Sequence, residues 1–536
     1  MYRMRRFIPY FTIVLLGLSA TVSCRKPDPE NKEEQEREQE TPQPPTTTTA
    51  IAFADTLSLV RLLPELETSP IIRYDLEMGY YIPLGEKTWT QSFSIDPVYI
   101  PSQSHSFPVK AVPYETYVRS GWLAEVLQYV ILKDVRLPEP DCELYRGLCQ
   151  SVVRLNISLG ENAPYRKVTL SDIQVRFPGW LRASPSEGSI PDLTVTEEGA
   201  TLSFDVTTID GPFEFVDKEG RRCYSAETTF HAFITASPED AVDGIAEAPS
   251  EIALACTFEF DRIDFTTCEL EFRTVSFPKD TVRWDAVPLP SFLSGEEADI
   301  CLPESRILID FKNGFPLNSS HLEADAFFGD RKAPFSLGNS TKYMLMHRLD
   351  AIYRPDTRNM DVEKLGDLFH GPFAGGLLQP AFSFQPVSEQ AGWIDPGREY
   401  EMSVKADWAL PLAFTGRLDA EGVPTKSISL DGDALDAPAN SSHEIRQEVS
   451  SSLPFDCLVT PVFKMEGEDP MALDGFILRR YDYGRDYTIV FTPSKDHWKA
   501  TLHYIVTPTE GGNEFLRKDG CLIVRETRFT ANLNEE

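Results

Sequence analysis

Ile252-Ala-Leu-Ala-Cys-Thr-Phe-Glu-Phe260 reads as a strand with one dry face. Its apolar members, Ile252, Leu254, Cys256, Phe258 and Phe260, recur at every second position, and an extended chain puts such residues on one side. The alternation returns in Leu202, Phe204 and Val206, and again in Trp498, Ala500, Leu502, Tyr504 and Val506. Between such runs stand Pro, Gly, Asp and Asn, the residues of turns. With 41 Pro and 33 Phe in 536 residues, the composition favours loops and β-core over helix. The pattern predicts a mainly β chain of several antiparallel β-sandwich domains. One helix is expected over Met360 to Phe369, where Val362, Leu365 and Leu368 recur at threes.

Upstream of the strands lies a different kind of sequence. Arg3, Arg5 and Arg6 precede an apolar run from Phe7 to Leu18, which is too short to cross a ~30 Å hydrocarbon core as a helix. Small residues then lead to Cys24, so residues 1–23 are expected to be a cleaved secretory signal. Residues 24–50 carry seven acids up to Glu40, then Pro42, Pro44, Pro45 and the threonines Thr46 to Thr49. Such a segment cannot offset its ordering entropy by burial and reads as a solvated tether. Thr21-Val22-Ser23-Cys24 resembles the bacterial lipoprotein signal, with Thr21 where that pattern carries Leu. The acidic stretch after Cys24 resembles the surface-export signals of some Gram-negative anaerobe lipoproteins. The resemblance implies an acyl chain on Cys24, an outer-membrane address and display at the cell surface, with the membrane as partner through the lipid.

The formal net charge is −32. So acidic a surface repels phosphate backbones, and no nucleic-acid partner is expected. Cys24 aside, eight cysteines remain: Cys142, Cys149, Cys223, Cys256, Cys268, Cys301, Cys457 and Cys521. In an exported chain they could pair, but several sit in alternating apolar runs and read equally as buried thiols. Cys142 and Cys149, flanked by Pro138, Pro140 and Gly147, form the candidate local disulfide.

Lapses in apolar periodicity near Pro138–Pro140, Pro288–Pro290 and Ser429–Asn440 suggest four consecutive β domains, over residues 51–137, 138–288, 289–436 and 437–536. Two stretches echo each other at an offset of 138. In Arg306 to Leu317 (RILIDFKNGFPL) and Glu444 to Phe455 (EIRQEVSSSLPF), Ile307 matches Ile445, Phe311 matches Val449, Phe315 matches Leu453 and Pro316 matches Pro454. Each reads as a strand running into an apolar-Pro corner. These segments resemble late-embryogenesis-abundant type-2 modules, as found in multi-domain lipoproteins of Gram-negative anaerobes. The second copy has Ser451 where the first has Asn313. Ser291 to Gly295, Leu410 to Phe414 and Val175 to Leu181 also look like those lipoproteins. The resemblance implies immunoglobulin-like sandwiches and brings no activity with it.

Catalytic and cofactor motifs are missing. The eight histidines fall in no zinc spacing, and there is no nucleophile elbow, P-loop or dinucleotide fingerprint. The chain is therefore not expected to be an enzyme or to hold a cofactor. His497 and His503 straddle one strand and read as surface histidines. Asp431, Asp433 and Asp436 are a weak Ca²⁺ candidate set against a solvated acidic linker. Arg479, Arg480, Tyr481, Tyr483, Arg485 and Tyr487 form a basic, aromatic cluster, expected as a hairpin around Gly484. It could offer stacking faces to sugars or guanidinium groups to a partner's acids. Asp55-Thr56-Leu57 and Asp280-Thr281-Val282 resemble bacterial O-glycosylation sites, a motif loose enough to occur by chance. The leading functional reading is a surface binding, adhesion or envelope-structure protein. A glycan-binding accessory lipoprotein of a sugar-uptake system is the alternative, requiring exposed aromatics, with Trp393, Trp408 and Trp498 the ones to inspect. A surface hydrolase, requiring converging carboxylates, is the third.

Overall fold

Thr46–Ile51 pairs antiparallel with Cys521–Asn532, from Thr46 opposite Asn532 to Ile51 opposite Thr527. Asp55–Ser58 continues along the same partner. This computed structural model describes residues 46–51, 53–138, 142–211, 215–216, 222–242, 249–347 and 356–532. Cys24 and positions 24–45 of the expected tether lie outside the described residues; positions 46–50, expected as part of that tether, are instead strand, because their backbone finds a ladder partner in Cys521–Asn532.

The chain is mainly β and its sheets are almost wholly antiparallel, as the alternating runs predict. The sheets form three units, one set inside another. In the outer unit, Cys521–Asn532 is joined by His443–Ser451 and Arg485–Phe491. Facing it is a sheet built on Lys499–Phe515 and Phe455–Met465. Tyr504 of one sheet donates its hydroxyl proton to Gln447 of the other, and Gln447 Nε2 donates to Thr527 Oγ1 at 2.8 Å. All three are buried, so this polar chain fixes how the two sheets sit on each other.

In the middle unit, Gly79–Ser94 pairs with Glu399–Pro411, which pairs with Arg306–Asn313. Across from this sheet lie Asp280–Arg283, Ala381–Val387, His321–Phe328 and Arg331–Leu337. Trp408 packs between the two, its ring centroid 4.9 Å from Phe382 and 5.2 Å from Trp284. The inner unit is a 13-stranded sheet that folds over on itself between Tyr99 and Phe272, with one strand, Ala391–Ile394, contributed by the middle unit. Phe177 unites its core, 5.0 Å from Phe204 and 5.9 Å from Phe258.

The pairings cut across the four consecutive segments drawn from the sequence. Residues 51–137 are shared among all three units, and the outer unit joins positions 46–58 to positions 413–532. Period-two patterning reports which face of a strand is buried but not which strand lies beside it, so a nested order leaves no local mark. The helix expected over Met360 to Phe369 is instead a strand, Thr357–Asp361, followed by a 3₁₀ turn, Glu363–Asp367. Val362, Leu365 and Leu368 are buried as expected. Their spacing of three matches the 3.0 residues per turn of a 3₁₀ helix better than the 3.6 of an α-helix.

Candidate binding surface

Cys142 and Cys149 lie on one strand, Cys142–Leu159, and both are buried. Seven residue steps along an extended strand set their Cα atoms about 20 Å apart, far beyond the reach of a disulfide. The candidate pairing is therefore corrected: proline and glycine nearby suggested a loop where the chain is a long strand.

The cluster at positions 479–487 is not a hairpin. Phe476–Leu478 pairs with Phe455–Met465 in one sheet, while Arg485–Phe491 pairs with His443–Ser451 in the facing one. The segment between them crosses from sheet to sheet, with Tyr481 (φ 52°) and Gly484 (φ 65°) in left-handed conformations. Its charges are met internally. Arg479 binds the buried Asp456 at 2.7 Å, Arg480 approaches Glu514 at 3.9 Å and Arg485 approaches Asp482 at 3.2 Å. Tyr487 stacks on Phe476, which leaves Tyr481 and Tyr483 as the exposed aromatic members, beside arginines that are paired yet still reach solvent.

Asp431, Asp433 and Asp436 do not come together as ligands, and no group of three or more potential metal ligands is found among the described residues. Lys499 lies 3.5 Å from Asp431, and His497 Nδ1 lies 2.8 Å from Asp433. Asp433 raises the pKa of His497 above the ordinary histidine value by hydrogen bond and charge. His–carboxylate pairs also occur at His370–Asp299 and His321–Glu323, and no described serine hydroxyl or cysteine thiol bonds to any of these three histidines. Thr56 and Thr281 are both exposed. Asp55 is buried and accepts from the backbone N–H of Lys426 at 2.8 Å, a structural duty.

Trp408 and Trp498 are core residues, whereas Trp393 is 41% exposed. Strand pairing places it in a row across four strands: Trp393 opposite Glu269, Glu269 opposite Arg146, Arg146 opposite Asp210. Directly paired residues share a face, and this face is the outward one. A bulge at Tyr145 turns that ring out beside Arg146, 38% exposed, where its hydroxyl donates to Glu271. That bond raises the tyrosine's pKa. Arg146 Nε and Arg182 Nε clamp Asp210 at 2.6 and 2.7 Å. Burial pushes the Asp210 carboxyl up, but the two guanidinium groups outweigh it and hold it below its ordinary value. Leu148, in the next row, is 41% exposed. Trp393 and Tyr145 sit two strands apart, about 10 Å.

This platform is rigidly held. Behind Trp393, Gly392 bridges to Leu317 of the first apolar-Pro corner, and a Cβ on Gly392 would come within 2.5 Å of Pro316 O. Sequence reading singled out Trp393 but not Tyr145, Arg146, Glu269 or Glu271. Their adjacency depends on pairing between segments far apart in the chain, for which no local signal exists.

Fold and surface define a protein of nested β-sandwich units with an exposed aromatic pair, Trp393 and Tyr145, on an open sheet face. No family model matches the chain. No curated protein matches it either. Among solved structures, one from Parabacteroides distasonis ATCC 8503, described as a "putative secreted protein", is similar at 14% identity and a TM-score of 0.30, over 49% of this chain and 86% of that one.

Proposed function

We propose that this chain is a lipid-anchored protein of the outer membrane, displayed at the cell surface, where it acts by binding or as part of the envelope's structure. The observation that carries the reading is the succession of basic residues, short apolar run, Ser23-Cys24 and acidic tether. Thr46–Ile51, at the end of that stretch, is already a strand paired with Cys521–Asn532. A body made of sandwich units with open sheet faces fits a binding or scaffolding role.

Metabolic labelling with a fatty-acid probe tests the anchor. Wild-type protein should carry the label and Cys24→Ala should not; equal labelling of both refutes the anchor. Protease added to intact cells tests display. Cleavage of the wild-type protein is expected, and full protection until the envelope is opened would place it on the inner side.

A further inference from the structure

We propose that the outward sheet face carrying Trp393, Tyr145, Glu269, Glu271 and Arg146 binds a neutral oligosaccharide. This deepens the binding role proposed above and rests on it. A pyranose ring offers an apolar C–H face and a rim of hydroxyls. The platform presents the complement of both: two aromatic faces about two strand spacings apart, and carboxylate and guanidinium groups set between and beside them.

Trp393 is the one tryptophan among the exposed large apolar side chains, while Trp89, Trp122, Trp284, Trp408 and Trp498 are all buried. An indole held in water on a strand clamped from both sides is available without rearrangement, which lowers the entropic penalty of binding. The polar groups are likewise pre-set. Tyr145 fixes Glu271 by its hydroxyl, and Asp210 fixes the Arg146 guanidinium at 2.6 Å. Glu269 stands between Trp393 and Arg146 in the row, and a carboxylate there is an acceptor for sugar hydroxyls.

Charge selects the class of glycan. Glu143, Glu269, Glu271, Asp210 and Asp395 outnumber Arg146 and Arg182 on and around this face, in a protein of net charge −32. Uronic acid and phosphate-bearing glycans are repelled. A protein partner fits less well, because Trp393, Tyr145 and Leu148 are interrupted by charged side chains and make no continuous dry core.

The test is titration of the purified full-length protein with cellohexaose, xylohexaose, mannohexaose, maltohexaose and chitohexaose, with an oligogalacturonate as the anionic control. Tryptophan fluorescence and calorimetry report binding. At least one neutral hexamer should bind, and Trp393→Ala should weaken it about tenfold or more without moving the melting temperature. Tyr145→Ala should also weaken it. Trp393→Tyr retains an aromatic face and should keep most of the binding, which covers the case of an alanine variant that does not fold. The proposal is overturned if no neutral hexamer binds, if only the anionic one does, or if Trp393→Ala binds as tightly as wild type. Fatty-acid labelling of Cys24 is read separately, so failure here leaves the anchor reading standing.

Discussion

Ser451 accepts a hydrogen bond from the backbone N–H of Leu453 at 3.2 Å, just as Asn313 accepts one from Phe315 at 3.2 Å. The two corners belong to different units, yet each ends a strand and turns the chain around a buried apolar residue followed by proline. The substitution of Ser for Asn keeps the acceptor and gives up the rest. Asn313 Nδ2 also donates to the Ser320 carbonyl at 2.7 Å. With each neutral bond contributing about 1 kcal/mol, Ser451→Ala should lower stability by about 1 kcal/mol and Asn313→Ala by about 2. Urea melts of the two variants measure the difference; equal losses would show that the extra bond has no weight.

Phe315 lies 4.9 Å from Phe277 and 5.9 Å from Phe93, in the neck where the chain passes between the middle and inner units. Leu453 is fully buried in the outer one. Truncating either to alanine should cost about 2–5 kcal/mol. Phe315→Ala should lower the melting of the middle unit and Leu453→Ala that of the outer unit. Calorimetry should resolve the two shifts; loss of both units in a single transition for either variant would mean one shared cooperative core.

Stability should fall on both sides of neutrality. Burial, with Lys133 nearby, holds His105 below the ordinary histidine value of 6.5, so the unfolded chain takes up its proton first. The stability from neutral His105 is present above that pH and is lost as pH falls through 6.5 toward the lower folded value. His105→Gln should flatten the acid limb of a stability-versus-pH curve, and an unchanged slope would acquit the residue. Burial pushes the Tyr80 hydroxyl from 10.0 up to about 12, with Glu67 adding to it. That stability is present below pH 10 and is lost between 10 and about 12, a limb that Tyr80→Phe should reduce.

Buried thiols should be slow to react. Burial pushes Cys149 and Cys256 up to about 12 and raises Cys268 and Cys457 as well. Cys521, partly exposed beside Ser452 and Tyr483, should be alkylated first in native protein, and Cys149, Cys256 and Cys457 only after unfolding. Mass spectrometry of non-reduced protein should find no Cys142–Cys149 cross-link. A linked peptide would mean that the strand between them is not extended.

Strand existence was legible in the sequence to a useful depth. Leu202, Phe204 and Val206, the Ile252 to Phe260 run and the Trp498 to Val506 run all place their alternating members in the core. So do Phe315 and Leu453 of the repeated corner. What stayed hidden is everything that depends on partners. Nothing near Gly79 announces Glu399–Pro411, and nothing near Tyr145 announces Trp393. The hairpin expected around Gly484 failed because composition alone cannot tell that the strands on either side of it belong to facing sheets, or that Asp456 and Asp482 pair with its arginines.

The nesting bears on the order in which this chain can be built. A chain made from its N-terminus releases Thr46–Ile51 early, yet the strand those residues need, Cys521–Asn532, emerges more than four hundred residues later. The inner unit has nearly all its strands once Phe272 is out, and the middle unit has its own by Pro411. Closure therefore proceeds from the centre outward, and the segment nearest the tether is fastened after everything else. Until then the outer unit's first strands wait with unpaired edges, a demand on chaperones that four consecutive domains would not make.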